Sequence, residues 1–203
     1  LEIKSELLEL GYKFKSETDT EVIINAYLQW GKECVKRFNG MFSIALWDTE
    51  KEILFCARDR MGVKPFYYSF DGKQFVWGSE IKQLIKSGII DSKVNYNNVY
   101  NYLMMSRLNV DKNSFFENIT ELPPAHIMEV SAKGIKFENY WDIDENKTLT
   151  GLSDDDYAKG FEELFADAVK LRLRSDVPLG IALSGGLDSS SIACIARRVV
   201  SNP

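Results

Sequence analysis

Apolar residues recur along this chain with two different periods, and the changes of period mark out its elements. Leu1, Ile3, Leu7, Leu8 and Leu10 lie among Glu and Lys, which predicts a short helix stopping at Gly11. Tyr12 and Phe14 then alternate with Lys as a short strand would. Thr18-Asp-Thr-Glu21 precedes Val22, Ile23, Ala26, Tyr27 and Trp30, a helix pattern ending near Gly31 with Cys34, Val35 and Phe38 beyond it. From Gly40 the period falls to two. Runs at 41–47, 53–58, 66–70 and 74–77 read as strands, separated by Asp48-Thr-Glu-Lys51, Asp59-Arg-Met-Gly62 and the hairpin signal Asp71-Gly72. Together they predict an antiparallel meander. Helices follow at 80–86 and 96–105, then a polar loop to about Ser114. Pro123-Pro124 opens a last strand pair, 125–130 and 134–140.

Past Asn139-Tyr-Trp-Asp142 the texture changes. Residues 144–156 are polar and acidic, a linker into a helix at 155–174, with Ser153 placed as a cap. Phe161, Leu164, Phe165, Ala168, Val169, Leu171 and Leu173 supply its expected buried face, and Pro178 disfavours helix before itself. Gly180-Ile-Ala-Leu183 then reads as a buried strand, Ser184-Gly-Gly-Leu-Asp-Ser189 as a tight loop, and the residues from Ser190 as a helix. The expected organisation is an α+β domain over 1–140, followed over 141–203 by a linker and the opening of an α/β nucleotide-binding domain. One strand and one helix cannot cover a doubly wound sheet. With no Met at position 1, that leads to the expectation of a fragment of a longer chain.

Composition narrows the partners. The chain's 203 residues, 45% apolar and 27% charged with a formal net charge of −5, are soluble globular material with no Lys/Arg-rich run. That argues against nucleic acid or an anionic membrane as partner. No apolar run approaches the roughly 20 residues of a membrane span. Cys34, Cys56 and Cys194 are odd in number and lie in apolar segments, as expected of buried thiols in a reducing cytoplasm.

The loop at 184–189 carries the chemistry. Gly185 and Gly186 let the backbone turn sharply and close on an anion, Ser184, Ser189 and Ser190 add hydroxyls, and the helix behind them opens with unpaired N–H groups. There is no Lys before a Ser/Thr as in the nucleoside-triphosphate P-loop, and no triple glycine of the dinucleotide fingerprint. Asp188 would repel a phosphate unless a cation lay between them, so it implies Mg²⁺. The plainer alternative is a glycine turn with Ser or Asp as N-cap. Thr18 and Asp19 carry the same ambiguity at the earlier helix start.

The run after Ile181-Ala-Leu183 resembles the pyrophosphate loop of the ATP pyrophosphatase family, whose members activate a carboxylate or carbonyl by adenylylation. Three stretches in order extend the likeness: Ser16-Glu-Thr-Asp-Thr-Glu-Val22; Asn39-Gly-Met-Phe-Ser-Ile-Ala-Leu-Trp-Asp48 with Ala57-Arg-Asp-Arg-Met-Gly-Val-Lys-Pro-Phe-Tyr-Tyr68 and Gly78-Ser-Glu80; and Arg174-Ser-Asp-Val-Pro178 with Leu183-Ser-Gly-Gly-Leu-Asp-Ser-Ser190. In combination the chain resembles the glutamine-dependent asparagine synthetases. The resemblance implies the latter part of a class II glutaminase domain of N-terminal-nucleophile hydrolase fold, joined to the start of an adenylylating synthetase domain. Its members use glutamine, aspartate and ATP with Mg²⁺, and make asparagine through β-aspartyl-AMP.

Carried over by position, Ser184, Gly185, Gly186, Asp188 and Ser189 would bind the ATP phosphates, Asp188 the metal, and the backbone at Ala182 and Leu183 the nucleoside. Asp19 would fix the amino group of substrate glutamine. Arg58, Asp59, Gly62 and Lys64 match a signature assigned to structure, as is lone His126. Ala125 stands where the family usually has Gly. No catalytic residue is assigned, because the nucleophilic first Cys, the earlier glutamine-binding stretch and the later basic residues have no counterpart here. The parent is expected to be a cytoplasmic ligase, able to form homo-oligomers, and the piece alone inactive and prone to aggregate at its cut sheet edges. The rival readings are a related enzyme adenylylating another carboxylate, such as a β-lactam synthetase or peptide cyclase, and a non-catalytic truncated module.

Overall fold

Both faces of one strand are buried, and the first of the chain's two units is layered on that strand. The computed structural model describes residues 1–107 and 113–201, and the chain falls into two units, Leu1–Ile143 and Asp144–Pro203. The polar loop expected after Met105 falls partly on 108–112, outside the described residues. In the first unit, α1 (Glu2–Glu9) buries Leu7 and α2 (Asp19–Trp30) buries Ala26 and Tyr27, while the short α3 (Cys34–Arg37) buries Cys34 and Val35. Gly31 ends α2 at φ +58°, a left-handed value that a side chain would resist.

Among the described residues seven strands follow: β1 (Ser43–Asp48), β2 (Ile53–Arg58), β3 (Tyr67–Phe70), β4 (Phe75–Gly78), β5 (Thr120–Glu121), β6 (His126–Ser131) and β7 (Gly134–Asn139), with α4 (Ile81–Lys86) and α5 (Tyr96–Met105) between β4 and β5. They form two antiparallel sheets, ordered β1-β2-β6-β7 and β4-β3-β5. On β2 the side-chain period of two sends Phe55 and Ala57 to one face and Cys56 to the other. Phe55, Ala57, Ile44 and Ile127 pack with Leu7, Ala26, Tyr27, Cys34 and Val35 from the helices. Cys56, Met128 and Val130 pack instead with Phe66, Tyr68 and Leu122 of the second sheet's side. Helices, sheet and sheet thus make three layers, and the unbroken apolar run of β2 reflects its place in the middle one.

Two expectations for this unit fail. The four strands at 41–77 do not form one meander, because β2 takes β6 as its second neighbour and β3–β4 pairs off in the other sheet. The turn after Arg58 carries the chain out of the first sheet before β3 can join it. Tyr12 and Phe14 form no strand; both pack against the helix-side core as irregular chain, with the Tyr12 hydroxyl on Gln29 at 3.0 Å. Three residues of alternation without a neighbouring strand leave the backbone no ladder.

The second unit contains α6 (Asp154–Arg172) and α7 (Leu187–Ser201). Ser153 caps α6 in a reciprocal box with Asp156, the hydroxyl accepting from the Asp156 N–H at 3.3 Å and the carboxylate from the Ser153 N–H at 3.2 Å. The expected buried face of α6 is only partly buried. Val169 is covered, Phe165, Ala168, Leu171 and Leu173 are half-buried, and Phe161 and Leu164 are 69% and 75% exposed. One neighbouring helix cannot cover so broad a stripe. The strand expected at 180–183 is likewise absent: those residues are irregular and exposed, since a buried strand exists only beside another, and none lies there among the described residues.

Candidate functional site

The glycine loop of the second unit is built by the start of α7. The Ser190 N–H donates to the Gly186 carbonyl at 3.2 Å, so the helix ladder begins there and the N–H groups of Leu187, Asp188 and Ser189 precede it. Gly185 turns at φ +80°, and a Cβ on Gly186 would stand 3.4 Å from the Ser184 hydroxyl oxygen. Into this turn fold Ser184 and Ser189, with their hydroxyl oxygens 3.1 Å apart. The Ser184 N–H reaches Ser189 Oγ at 3.3 Å, and the Gly186 N–H reaches Ser184 Oγ at 3.4 Å. Five of the residues singled out in the sequence, Ser184, Gly185, Gly186, Asp188 and Ser189, are therefore brought around one point. Ala182 and Leu183 lead into it as exposed chain.

Asp188 lies in the first turn of α7, exposed, with no hydrogen bond or ion pair among the described residues. Nor do the described residues hold any group of three or more His, Cys, Asp or Glu able to cage a metal. A lone free carboxylate beside hydroxyls and helix N–H groups fits Mg²⁺ of the kind held by one or two carboxylates together with a substrate's phosphates, rather than by protein alone. The positive end of the helix dipole and the open N–H groups favour the phosphate itself.

Asp19, in the first unit, is the first residue of α2. Thr18 occupies the cap position with extended backbone, but its side chain makes no cap hydrogen bond; its hydroxyl lies 2.9 Å from that of Ser16. Asp19 does not cap either, and among the described residues its exposed carboxylate has no partner. The sequence's cap reading for these two residues thus fails at the side chains. Glu21 instead ties down the chain that leads into the helix, accepting from the Lys15 N–H at 2.8 Å, the Ser16 N–H at 2.7 Å and the Ser16 hydroxyl at 2.6 Å. The Ser16 hydroxyl, followed by the Lys15 N–H, draws the Glu21 pKa below the usual carboxylate range. Sequence reasoning did not single out Glu21, although Thr18-Asp-Thr-Glu21 has the capping-box spacing that could have drawn notice to it.

A second cluster escaped the sequence too. Tyr27 of α2 donates to Asp48 at 3.0 Å, and Lys51 reaches the same carboxylate at 2.9 Å. The Lys51 N–H, then its ammonium, hold the Asp48 pKa down to about 2. The three line an open cavity of about 660 Å³ between α2 and β1. Asp48 and Lys51 pair locally within one turn, and Tyr27, distant in sequence, joins them only because α2 crosses the end of the β1–β2 hairpin.

The turn after β2 is structural throughout. Arg58 is buried, its guanidinium donating to the Lys64, Leu122 and Gly62 carbonyls at 2.8, 2.6 and 2.7 Å and pairing with Glu121 at 2.8 Å. Asp59, 1% exposed, accepts from the N–H groups of Phe42, Met61, Val63 and Lys64. At Gly62, φ is +64° and a Cβ would meet Pro124 at 2.8 Å. Ala125 stands at φ +57°, the left-handed conformation that glycine adopts without strain. His126 Nδ1 lies 2.7 Å from the Pro124 carbonyl, an ordinary strand-end contact. Burial pushes the Cys34 and Cys56 thiols up to about 12, which keeps them protonated and inert. Cys194 departs from the expectation and is exposed, on the open side of α7.

The model of the glutamine amidotransferase domain family matches residues 1–141, and that of the asparagine synthase family matches residues 160–203. Two curated relatives are from Bacillus subtilis. Asparagine synthetase (glutamine-hydrolyzing) 3 is 38% identical over 195 residues, which are 96% of this chain and 31% of the relative. Asparagine synthetase (glutamine-hydrolyzing) 2 is 34% identical over 196 residues, 92% of this chain and 26% of the relative. The chain thus spans less than a third of the length of these relatives. Among solved structures, a glutamine phosphoribosylpyrophosphate amidotransferase from B. subtilis, complexed with ADP and GMP, superposes over 97% of this chain and 41% of its own. The TM-score is 0.50 at 14% identity, a likeness of fold alone.

Proposed function

The chain belongs to the family of glutamine amidotransferase domains through residues 1–141, and from that premise we propose that it is an internal part of a glutamine-hydrolysing asparagine synthetase. Residues 1–140 would be the latter part of the glutaminase domain, and 141–203 the linker and opening of the synthetase domain. The reaction would consume ATP, aspartate and glutamine. A carboxylate oxygen of aspartate attacks the α-phosphorus of ATP, the bond to pyrophosphate breaks, and β-aspartyl-AMP forms. Ammonia released from glutamine attacks the acyl carbon, and AMP leaves as asparagine forms.

One observation carries the synthetase half: two hydroxyls and a backbone N–H converge at 184–189 on the mouth of a helix whose first three N–H groups stand outside its ladder. Charge builds on the departing pyrophosphate, and donors fixed beforehand stabilise it at no cost in reorganisation. In this reading Ser184, Gly185, Gly186 and Ser189 bind the phosphates, the backbone at Ala182 and Leu183 lies against the nucleoside, and Asp188 holds Mg²⁺. The ion, when bound, supplies neutralising charge to the phosphate oxygens. Asp19 accepts from the amino group of glutamine.

A reducing compartment suits the free thiols, and among the described residues no helix is long and apolar enough to cross a membrane. The test is ATP–pyrophosphate exchange by the full-length protein with a panel of carboxylic acids, wild type against Asp188→Ala. Exchange that needs aspartate and falls at least ~100-fold in the variant, the scale of losing one charge-stabilising group, is the expected result. Exchange with another acid would transfer the chain to a related adenylylating enzyme, and no exchange with any acid would leave the loop a binding feature.

A further inference from the structure

We propose that Glu21 is a positioning residue for the glutamine site, holding Asp19 out of the helix cap so that its carboxylate stays free for substrate. The inference rests on the reading of Asp19 as the group that meets the amino group of glutamine.

The start of α2 departs from an ordinary capping box in a way that the start of α6 makes plain. At α6, Asp156 in the third helical position bonds the N–H of the cap residue Ser153, and the cap hydroxyl bonds back. At α2 the third helical position is Glu21, yet its carboxylate bypasses the cap residue Thr18 and takes the Lys15 and Ser16 N–H groups and the Ser16 hydroxyl. Thr18, with its hydroxyl against that of Ser16, gives no cap bond. The segment 15–18 is polar, so no apolar contact of its own fixes it; Glu21 does so with three bonds, and Lys4 adds an ion pair to Glu17 at 2.5 Å.

Without Glu21 this segment can move. Asp is among the strongest N-cap residues, and Asp19 stands one position inside the cap with open helix N–H groups ahead of it. A released chain would let α2 start one residue later, with the Asp19 carboxylate spent on the Glu21 and Val22 amides. Glu21 thus determines whether Asp19 faces a ligand or its own helix.

The measurement is calorimetric binding to the full-length protein of L-glutamine and of 4-carbamoylbutanoate, the same molecule without its α-amino group. Wild type, Asp19→Asn, Glu21→Gln and Glu21→Ala are compared, with melting curves for each. Glu21→Gln keeps the size but turns one acceptor into an NH₂ facing N–H groups. Asp19→Asn is expected to weaken glutamine roughly tenfold or more, the loss of a charge-assisted bond. Both Glu21 variants are expected to weaken it ~5-fold or more by the same mechanism, with the affinity for 4-carbamoylbutanoate unchanged. A merely structural role would instead lower the fraction of competent protein, or weaken both ligands alike, and would overturn the inference. Loss of discrimination in Asp19→Asn with full discrimination in both Glu21 variants also overturns it, while leaving the Asp19 reading intact. No change in Asp19→Asn, or no glutamine binding by the wild type, overturns that reading and the inference with it.

Discussion

Two loops in this chain use the same materials, glycine, aspartate and a neighbouring strand or helix end, for opposite ends. At 58–64 the Asp59 carboxylate accepts from four backbone N–H groups and is 1% exposed. At 184–189 the Asp188 carboxylate is exposed and takes no bond from the described residues, while the loop's hydroxyls turn toward one another around open N–H groups. A carboxylate whose lone pairs are all used holds a fold together. One that is left free, beside the open N–H groups of a helix's first turn, is available to a ligand and a cation. The same contrast separates Glu21, which is fully engaged, from Asp19, which is not.

The sharpest break of that comparison is Asp59→Asn. The substitution keeps the shape but removes an acceptor from buried N–H groups and turns an NH₂ toward them, and is expected to cost about 3 kcal/mol of stability. Urea unfolding followed by tryptophan fluorescence reads this, with Trp30, Trp47, Trp77 and Trp141 as reporters in the first unit. A change under about 1 kcal/mol would show that the turn does not depend on Asp59.

Gly62→Ala comes next. It adds a Cβ 2.8 Å from Pro124 at φ +64°, combining overpacking with a left-handed backbone, and is expected to cost about 2 kcal/mol by the same assay. Asp188→Ala is the counterpart with the smallest effect on folding. A free surface carboxylate contributes within about 0.5 kcal/mol, so the variant that abolishes exchange should melt with the wild type. A large loss of stability there would make Asp188 structural and collapse the contrast between the loops.

Much of this was legible along the chain. Helix 96–105 and strand 53–58 follow from periodicity, Asp71-Gly72 marks its hairpin, and Ser153 marks its cap, because each depends on residues near in sequence. The geometry of the glycine turn was legible for the same reason: Ser184, Gly185 and Gly186 lie next to one another and lead directly into α7. Glu21 was not singled out, although it has capping-box spacing from Thr18, and the sequence could not say which N–H groups it would take. In the Tyr27–Asp48–Lys51 cluster only the turn pair Asp48–Lys51 is local; Tyr27 was invisible, because it joins them through the packing of α2 on a hairpin.

Local chemistry in the sequence thus determined most of the elements and the turns, the glycine turn at 184–186 among them: hydrophobic period, glycine freedom and capping act over a few residues. Tertiary structure decided what depends on neighbours. It split the expected meander into two sheets, since β6 outcompeted β3 for the edge of β2. It left 180–183 irregular and much of the α6 stripe exposed, since a strand needs a ladder and an apolar face needs a partner. It also set Asp59 and Asp188 apart, because only folding decides whether a carboxylate meets enough backbone N–H groups to satisfy it.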